Sequence, residues 1–208
     1  MDRYKITYET WNKIAGIYQD KFMDYDLYDN TYDIFCELLK DQATVLELAC
    51  GPGNITKYLL TKRPDLQILA TDFAPNMIEL AKQNNPSANF QLLDCRSIDE
   101  LSHSFDAILC GFCLPYLSLE DCDKLIADSF QLLNKGGLLY LSAIEGDYTK
   151  SGFETGGTGD QCYVYYHSEK AMIEQMNKYG FEVLSSIKKK YRKGEEIDTH
   201  LILIGQKP

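Results

Sequence analysis

Val45-Leu46-Glu47-Leu48-Ala49-Cys50-Gly51-Pro52-Gly53 reads as a buried strand that carries an acid and runs into a tight glycine turn. Asn54-Ile55-Thr56 then opens a helical pattern. Strand, Gly-x-Gly turn and helix N-terminus together make a place where a ligand can lie against bare backbone. A Cβ at Gly51 or Gly53 would block that approach or forbid the dihedrals of the turn. A second apolar run, Leu66-Gln67-Ile68-Leu69-Ala70-Thr71, ends in Asp72, which follows Gly51 by 21 positions. A nucleotide-binding α/β unit needs an acceptor for ribose hydroxyls near that spacing.

Two ligand classes compete for such a unit. A dinucleotide fingerprint asks for Gly-x-Gly-x-x-Gly, but position 56 is threonine. Glu47 would also repel a pyrophosphate, whereas an acid there suits a ligand with a cationic group. The block resembles the first motif of class I S-adenosylmethionine-dependent methyltransferases, and the resemblance covers most of residues 40–208. Asp72-Phe73 matches the ribose-binding acid and its neighbour, and Leu92-Leu93-Asp94-Cys95 the end of the third strand. Phe105-Asp106-Ala107-Ile108-Leu109-Cys110 matches the fourth strand, and Leu132-Leu133-Asn134-Lys135-Gly136-Gly137-Leu138-Leu139 the turn into the fifth. Order and spacing of all five carry the resemblance, since no single one is decisive. It implies an α/β fold: a Rossmann-like, seven-stranded, mostly parallel sheet with a C-terminal antiparallel hairpin and a helical N-terminal cap. A nucleotide-dependent oxidoreductase and a non-catalytic cofactor-binding protein are the competing functions.

Composition narrows the partners. Lys+Arg 21 against Asp+Glu 31 gives a net charge of −10 over 208 residues, which disfavours a nucleic-acid substrate. Lys188-Lys189-Lys190 with Arg192-Lys193 is the one basic run, read as a solvated strand end. Seven cysteines, an odd number scattered through strands and helices, read as small buried residues of a reducing compartment. Cys110-Gly111-Phe112-Cys113 has no second such pair to make a metal site, so no metal is expected. The charged start Met1-Asp2-Arg3-Tyr4-Lys5 lacks an apolar leader, and no run suits a membrane span, so a cytoplasmic location is expected.

Along the chain, Trp11, Ile14, Ala15, Tyr18 and Phe22 predict one amphipathic helix over 7–22, and Ile34, Phe35, Leu38 and Leu39 a second over 31–40. Residues 1–40 then form a cap on a cofactor domain of 41–208. Strand and helix alternate to about residue 144, which predicts a parallel sheet. Phe181–Ile187 and Thr199–Ile204, joined through Lys193-Gly194-Glu195-Glu196, predict a terminal antiparallel hairpin. Residues 146–166, glycine-rich and then tyrosine-rich, are expected to be a lid or a short hairpin over the site.

The resemblance implies S-adenosyl-L-methionine as cofactor. Glu47 would meet its methionine amino group, Ala49, Gly51 and Gly53 would let the backbone approach, and Asp72 would take both ribose hydroxyls. Phe73 and Met77 would flank the adenine, Asp94 with Cys95 would read its edge, and Cys110 closes the fourth strand beside it. Tyr18 looks like the cap-helix tyrosine that reaches the cofactor carboxylate. Methyl transfer from a sulfonium needs positioning above all, so no catalytic residue is assigned. Tyrosine is used 15 times, a habit of apolar surfaces that need a hydroxyl contact. Tyr116, after the fourth strand, is the foremost candidate for facing the acceptor, with Tyr8, Trp11 and Tyr148 beside it. His167 is placed to reach the mouth of the site, and His200 is read as the start of a strand. The expected partner is a small-molecule methyl acceptor, with no nucleic acid and no membrane, and a homodimer is left open.

Overall fold

The computed structural model describes residues 2–208. Helices α1 (Arg3–Lys13), α2 (Ala15–Phe22) and α3 (Asp29–Leu38) come first. The expected single helix over 7–22 begins earlier, at Arg3, and breaks at Ile14, whose backbone leaves helical geometry at φ −97° and ψ 15°. Gly16, two residues on, is the residue that loses most backbone freedom in a helix, so the break falls where helix is weakest. The second helix runs over 29–38 in place of 31–40.

Strands and helices then alternate as β1 (Thr44–Leu48), α4 (Asn54–Lys62), β2 (Gln67–Asp72), α5 (Pro75–Asn84), β3 (Asn89–Leu92), β4 (Phe105–Cys110), α6 (Leu119–Leu132) and β5 (Leu133–Ile144). Proline occupies the first turn of α5, and the Ser118 hydroxyl caps α6 by accepting from the Asp121 amide at 3.1 Å. After a short hairpin of β6 (Gly152–Thr155) and β7 (Gln161–Val164) come α7 (Glu169–Lys178), β8 (Glu182–Lys193) and β9 (Glu196–Gln206). The 146–166 segment is thus ordered as a two-stranded antiparallel hairpin with two short flanks. The terminal hairpin is antiparallel as expected but longer, reaching Lys193 and Glu196 at its tip.

The main sheet has seven strands in the order β3-β2-β1-β4-β5-β9-β8. Pairs from β3 to β5 are parallel, and β9 runs antiparallel to both β5 and β8. Strand order reverses between β1 and β4, so their C-terminal ends flank the crevice where open α/β sheets bind ligands. Alternation on β1 sends Val45 to the face covered by α3 and α4, and Leu46 and Leu48 to the face covered by α6 and α7. Glu47 shares the side of Val45 and meets Thr56 of α4 there. Because β9 is antiparallel, its start lies beside the end of β5, with His200 opposite Ile144. Both therefore sit on the crevice rim.

Helix α1 and the β6–β7 hairpin hold each other above that rim. The Thr10 hydroxyl donates to the Gln161 carbonyl at 2.7 Å, the Tyr163 amide donates to Thr7 Oγ1 at 3.2 Å, and Lys13 pairs with Asp160 at 2.8 Å. The basic run of the terminal hairpin lies on edge strand β8, where Lys188 pairs with Glu145 and Glu169 at 2.7 and 2.8 Å. Among the described residues, no helix is long and apolar enough to cross a membrane.

Candidate active site

Three residues of the β1 turn adopt positive φ: Ala49 at 52°, Gly51 at 56° and Gly53 at 80°. For Ala49 this conformation costs energy, and Phe112, just past β4, repeats it at φ 59°. Two strained non-glycine residues at the ends of the two switch-point strands mark the crevice as a functional place. The two glycines differ in purpose. A Cβ on Gly51 would stand 3.5 Å from Tyr18 Cε1, so its open side faces the cap. A Cβ on Gly53 would fall 2.4 Å from Asn85 Nδ2 and 3.3 Å from the Ala81 methyl, so Gly53 lets α5 approach the turn.

Two carboxylates are buried around this turn. Glu47 is 0% exposed. Its Oε2 accepts from the Thr56 hydroxyl at 2.5 Å, while its Oε1 has no partner. Burial pushes its pKa up to about 8 from the usual 4.5, and the Thr56 bond opposes this only in part. Asp72, 4% exposed, accepts from the Gly51 amide at Oδ2 and the Ala74 amide at Oδ1, both at 2.9 Å. Burial raises it to about 6 against those two bonds. A carboxylate offers about four lone-pair sites, so Asp72 retains two for other donors. Thr56, the position that breaks the dinucleotide pattern, is thus the residue that anchors Glu47.

Aromatic side chains lie over the pair. Trp11 meets Tyr18 and Tyr116 edge-on, with centroids 5.4 and 5.3 Å apart, and packs on Ala15, Ala74 and Met77. Its indole nitrogen is buried without a partner. Two concavities lie near this cluster. One, of 390 Å³, is bounded by the cap, the β6–β7 hairpin and the rim, and takes in Trp11, Tyr18, Asn54, Phe112, Tyr116 and His200. The other, of 530 Å³ and wide open, takes in Tyr8, Phe73, Leu93, Asp94 and Arg96. Glu47, Gly51 and Asp72 line neither: both carboxyls are buried, and Gly51 has Tyr18 against its open side.

The expected site residues divide accordingly. Tyr18, Trp11 and Tyr116 converge on the enclosed cavity, and Phe73, Tyr8 and Asp94 on the open one. Asp94 caps the short turn Cys95–Glu100, accepts from the Arg96 amide at 2.9 Å and grips its guanidinium. Burial alone would raise its pKa, and the Arg96 bonds bring it below the usual value. Met77 and Cys110 are core residues that border neither concavity, and Cys95 turns its sulfur to Cys113 at 3.1 Å. His167 does not reach the mouth of the site. It is wholly buried, with Nε2 at 2.9 Å from the Leu114 carbonyl, because its backbone bridges to Glu145 and draws the ring under the sheet end. Tyr148 likewise lines neither concavity and stacks on Tyr165 at 5.9 Å. Sequence reading passed over Tyr28, Phe112 and Tyr191, and it set His200 aside as a strand residue. The antiparallel hairpin was the available signal for His200, since it returns the start of β9 to the rim.

Residues 45–137 match the methyltransferase domain family. Over that segment, from β1 to the turn within β5, the chain is similar to methyltransferases. Trans-aconitate 2-methyltransferase of Variovorax paradoxus is 32% identical over 49% of this chain and 38% of its own length. A tRNA N(3)-methylcytidine methyltransferase of Schizosaccharomyces pombe is 27% identical over 85% of this chain and 64% of its own. With 28% of a viral relative covered as well, the chain spans less than two thirds of the length of each of these curated relatives. Among solved structures, the 1,6-didemethyltoxoflavin-N1-methyltransferase of Burkholderia thailandensis superposes with a TM-score of 0.73 at 19% identity, covering 100% of this chain and 91% of that one. A Methanosarcina mazei methyltransferase gives 0.73 at 19%, covering 85% and 97%. These likenesses establish the fold.

The Glu47 environment makes stability depend on pH in a set direction. Its folded pKa of about 8 lies above the usual 4.5, so its contribution is whole below pH 4.5 and is lost as pH rises through 8. Every pH step of one between those two values removes roughly 1.4 kcal/mol at most. Glu47→Gln, which cannot ionise, is expected to lose less melting temperature than wild type between pH 6 and pH 9. Parallel melting curves for the two proteins would show that Glu47 is not held neutral. Asp72 titrates with the same sign near pH 6 and interacts with Glu47, so the difference between the two proteins above pH 7 is the part that reports Glu47.

Proposed function

We propose that the protein binds S-adenosylmethionine on the β1 turn and transfers its methyl group to a small-molecule acceptor in the enclosed cavity. The observation that carries this reading is the Glu47–Asp72 pair: a buried carboxyl with a partnerless Oε1, and a second with lone pairs to spare, on either side of a left-handed glycine turn. A dinucleotide pyrophosphate would meet negative charge there. A cationic amino group instead favours the ionised form of Glu47, and ribose hydroxyls suit the two free sites of Asp72. Phe73 and Tyr8, 5.4 Å apart, offer apolar surface for an adenine, with Asp94 at its edge. The Tyr18 and Trp11 faces suit a sulfonium as they suit other cations. Bound there, adenosylmethionine supplies a methyl already activated by its positive sulfur, and the protein need only place the acceptor and exclude water.

Small-molecule chemistry is favoured over RNA, although relatives in fission yeast are named tRNA methyltransferases. The net charge is −10, the cavity is roofed by α1 and the β6–β7 hairpin, and Lys188 of the basic run is paired within the chain. We read residues 1–40 as a cap on the 41–208 domain and the 146–166 hairpin as its latch. Since Tyr18 lies against Gly51 and Trp11 packs on Ala74 beside Asp72, a ligand reaching Asp72 must displace them.

Calorimetric titration of the purified protein is expected to give heat with adenosylmethionine and none with NADH; the reverse overturns the reading. Asp72→Ala should weaken adenosylmethionine binding by about 2–3 kcal/mol, the scale of charge-assisted bonds to two hydroxyls. A melting curve taken alongside separates that loss from unfolding, and wild-type affinity in the variant would place the ribose elsewhere.

The cap has its own test. Thr10 lies against Gln161 and also contacts the Cys162 thiol, so Thr10→Cys creates a pair that an oxidant can join. The oxidised variant, with α1 fixed to the hairpin, is expected to bind adenosylmethionine at least tenfold more weakly and to recover on reduction. Trp11 is the single tryptophan, so its emission follows the opening directly. Equal affinity in the oxidised and reduced forms would show that α1 does not gate the site.

A further inference from the structure

The far wall of the enclosed cavity is built unlike the rest of the rim. Tyr28 and His200 are nearly sealed from solvent, at 7% and 6% exposure, and both border the cavity. The Tyr28 hydroxyl lies 2.6 Å from His200 Nδ1. Among the described residues the other ring nitrogen of His200 has no partner, and it is not sealed within the protein. Phe112 stands 4.6 Å from Tyr28 and 5.1 Å from His200, ring centre to ring centre. Tyr191 of β8 stacks on His200 at 4.9 Å and 16° between planes. Four rings from four separate parts of the chain thus meet at one wall.

That wall is costly to build. Phe112 sits in a left-handed conformation that phenylalanine disfavours, and its amide is held by Ser142 Oγ at 2.6 Å. The His200 imidazole is taken out of bulk water with one ring nitrogen left facing the cavity, which is favourable only if something in the cavity bonds it. Neither feature serves strand pairing, since β9 pairs with β5 through backbone alone. The wall also opens toward the β1 turn, because Tyr18 and Asn54, the neighbours of Gly51, border the same cavity.

We propose that this wall is the acceptor subsite, and that it takes a planar aromatic or heteroaromatic ring whose edge oxygen or nitrogen hydrogen-bonds the free nitrogen of His200. The proposal rests on the methyl-transfer reading and narrows it to a substrate class. Flat rings gain from offset or edge contacts with tyrosine, phenylalanine and imidazole that a saturated ring of equal volume does not. Donation from Tyr28 to Nδ1 leaves a hydrogen on Nε2, which suits a carbonyl or deprotonated edge; the reverse arrangement leaves Nε2 as an acceptor for a ring hydroxyl or N–H. Burial keeps His200 uncharged at neutral pH, with its pKa lowered to about 4, so it does not repel a nearby sulfonium. Most charged groups of the cavity, Glu154 paired with Lys193 and then Asp160 and Asp198, lie toward the β6–β7 hairpin and the tip of the terminal hairpin, while Lys21 stands at the ring wall, its Nζ donating to the Tyr191 hydroxyl at 3.1 Å.

The test is binding calorimetry on the protein saturated with S-adenosylhomocysteine, using 2-naphthol, 4-hydroxyquinoline and the saturated decahydro-2-naphthol as probes. Both aromatic probes are expected to bind at least tenfold more tightly than the saturated alcohol. His200→Phe, which keeps a flat ring but removes the nitrogen, should weaken 4-hydroxyquinoline about tenfold and leave S-adenosylhomocysteine affinity within twofold of wild type. Tyr28→Phe, a smaller change that only frees Nδ1, should give a lesser loss and serves if His200→Phe does not fold. Equal affinity for the saturated alcohol, no binding by either aromatic probe, or full affinity in both variants would overturn the proposal. Failure of the wild type to bind S-adenosylhomocysteine would instead overturn the methyl-transfer reading.

Discussion

The Asp72 carboxylate, by accepting the amides of Gly51 and Ala74, ties the turn after β1 to the turn after β2. Those turns carry the left-handed backbone, the start of α4 and the start of α5, so their relative placement fixes the floor of the crevice. The same carboxylate, 4% exposed, raises the cost of ionising Glu47 nearby. Two acids held this close in a dry setting are stable only if one stays neutral or a cation joins them. The fold tolerates the first condition, and the proposed ligand supplies the second.

Most of the floor was legible in the sequence. Strand periodicity, Gly51, Gly53 and the distance to Asp72 define a β-α-β unit on local grounds. Antiparallel return of the C-terminal strands followed from the absence of a helix between them. The roof was not legible in the same way. The break at Ile14 keeps its hydrogen bonds to Thr10 and Tyr18, so the apolar pattern runs on through it and only Gly16 marks the place. The placing of Trp11 over the start of α5 depends on how α1 meets the β6–β7 hairpin, a contact between segments far apart in the chain, as in the Thr10–Gln161 bond with a separation of 151.

Residue roles divide along the same line. Glu47 could be recognised because an acid inside an apolar strand demands a reason, but its partner Thr56 registered only as a missing glycine. His167 misled because a histidine beside tyrosines suggests a polar mouth, whereas its backbone bridge to Glu145 carries the ring into the core. Histidine at the start of a strand gave no such hint, yet β9 delivers His200 to the rim. Side-chain chemistry alone does not tell which of the two borders the cavity; strand direction does.

Everything proposed for the cofactor depends on a neutral Glu47 meeting a cationic ligand, and proton release on binding reports that meeting. At pH 6.5 an α-amino group is protonated, and a carboxyl with a pKa of about 8 is as well. Adenosylmethionine should therefore bind with different heats in two buffers of unlike ionisation enthalpy, corresponding to release of about one proton per cofactor, and Glu47→Gln should remove most of that difference. Identical heats in the two buffers, or net proton uptake, would mean that Glu47 does not give up a proton to the bound cation.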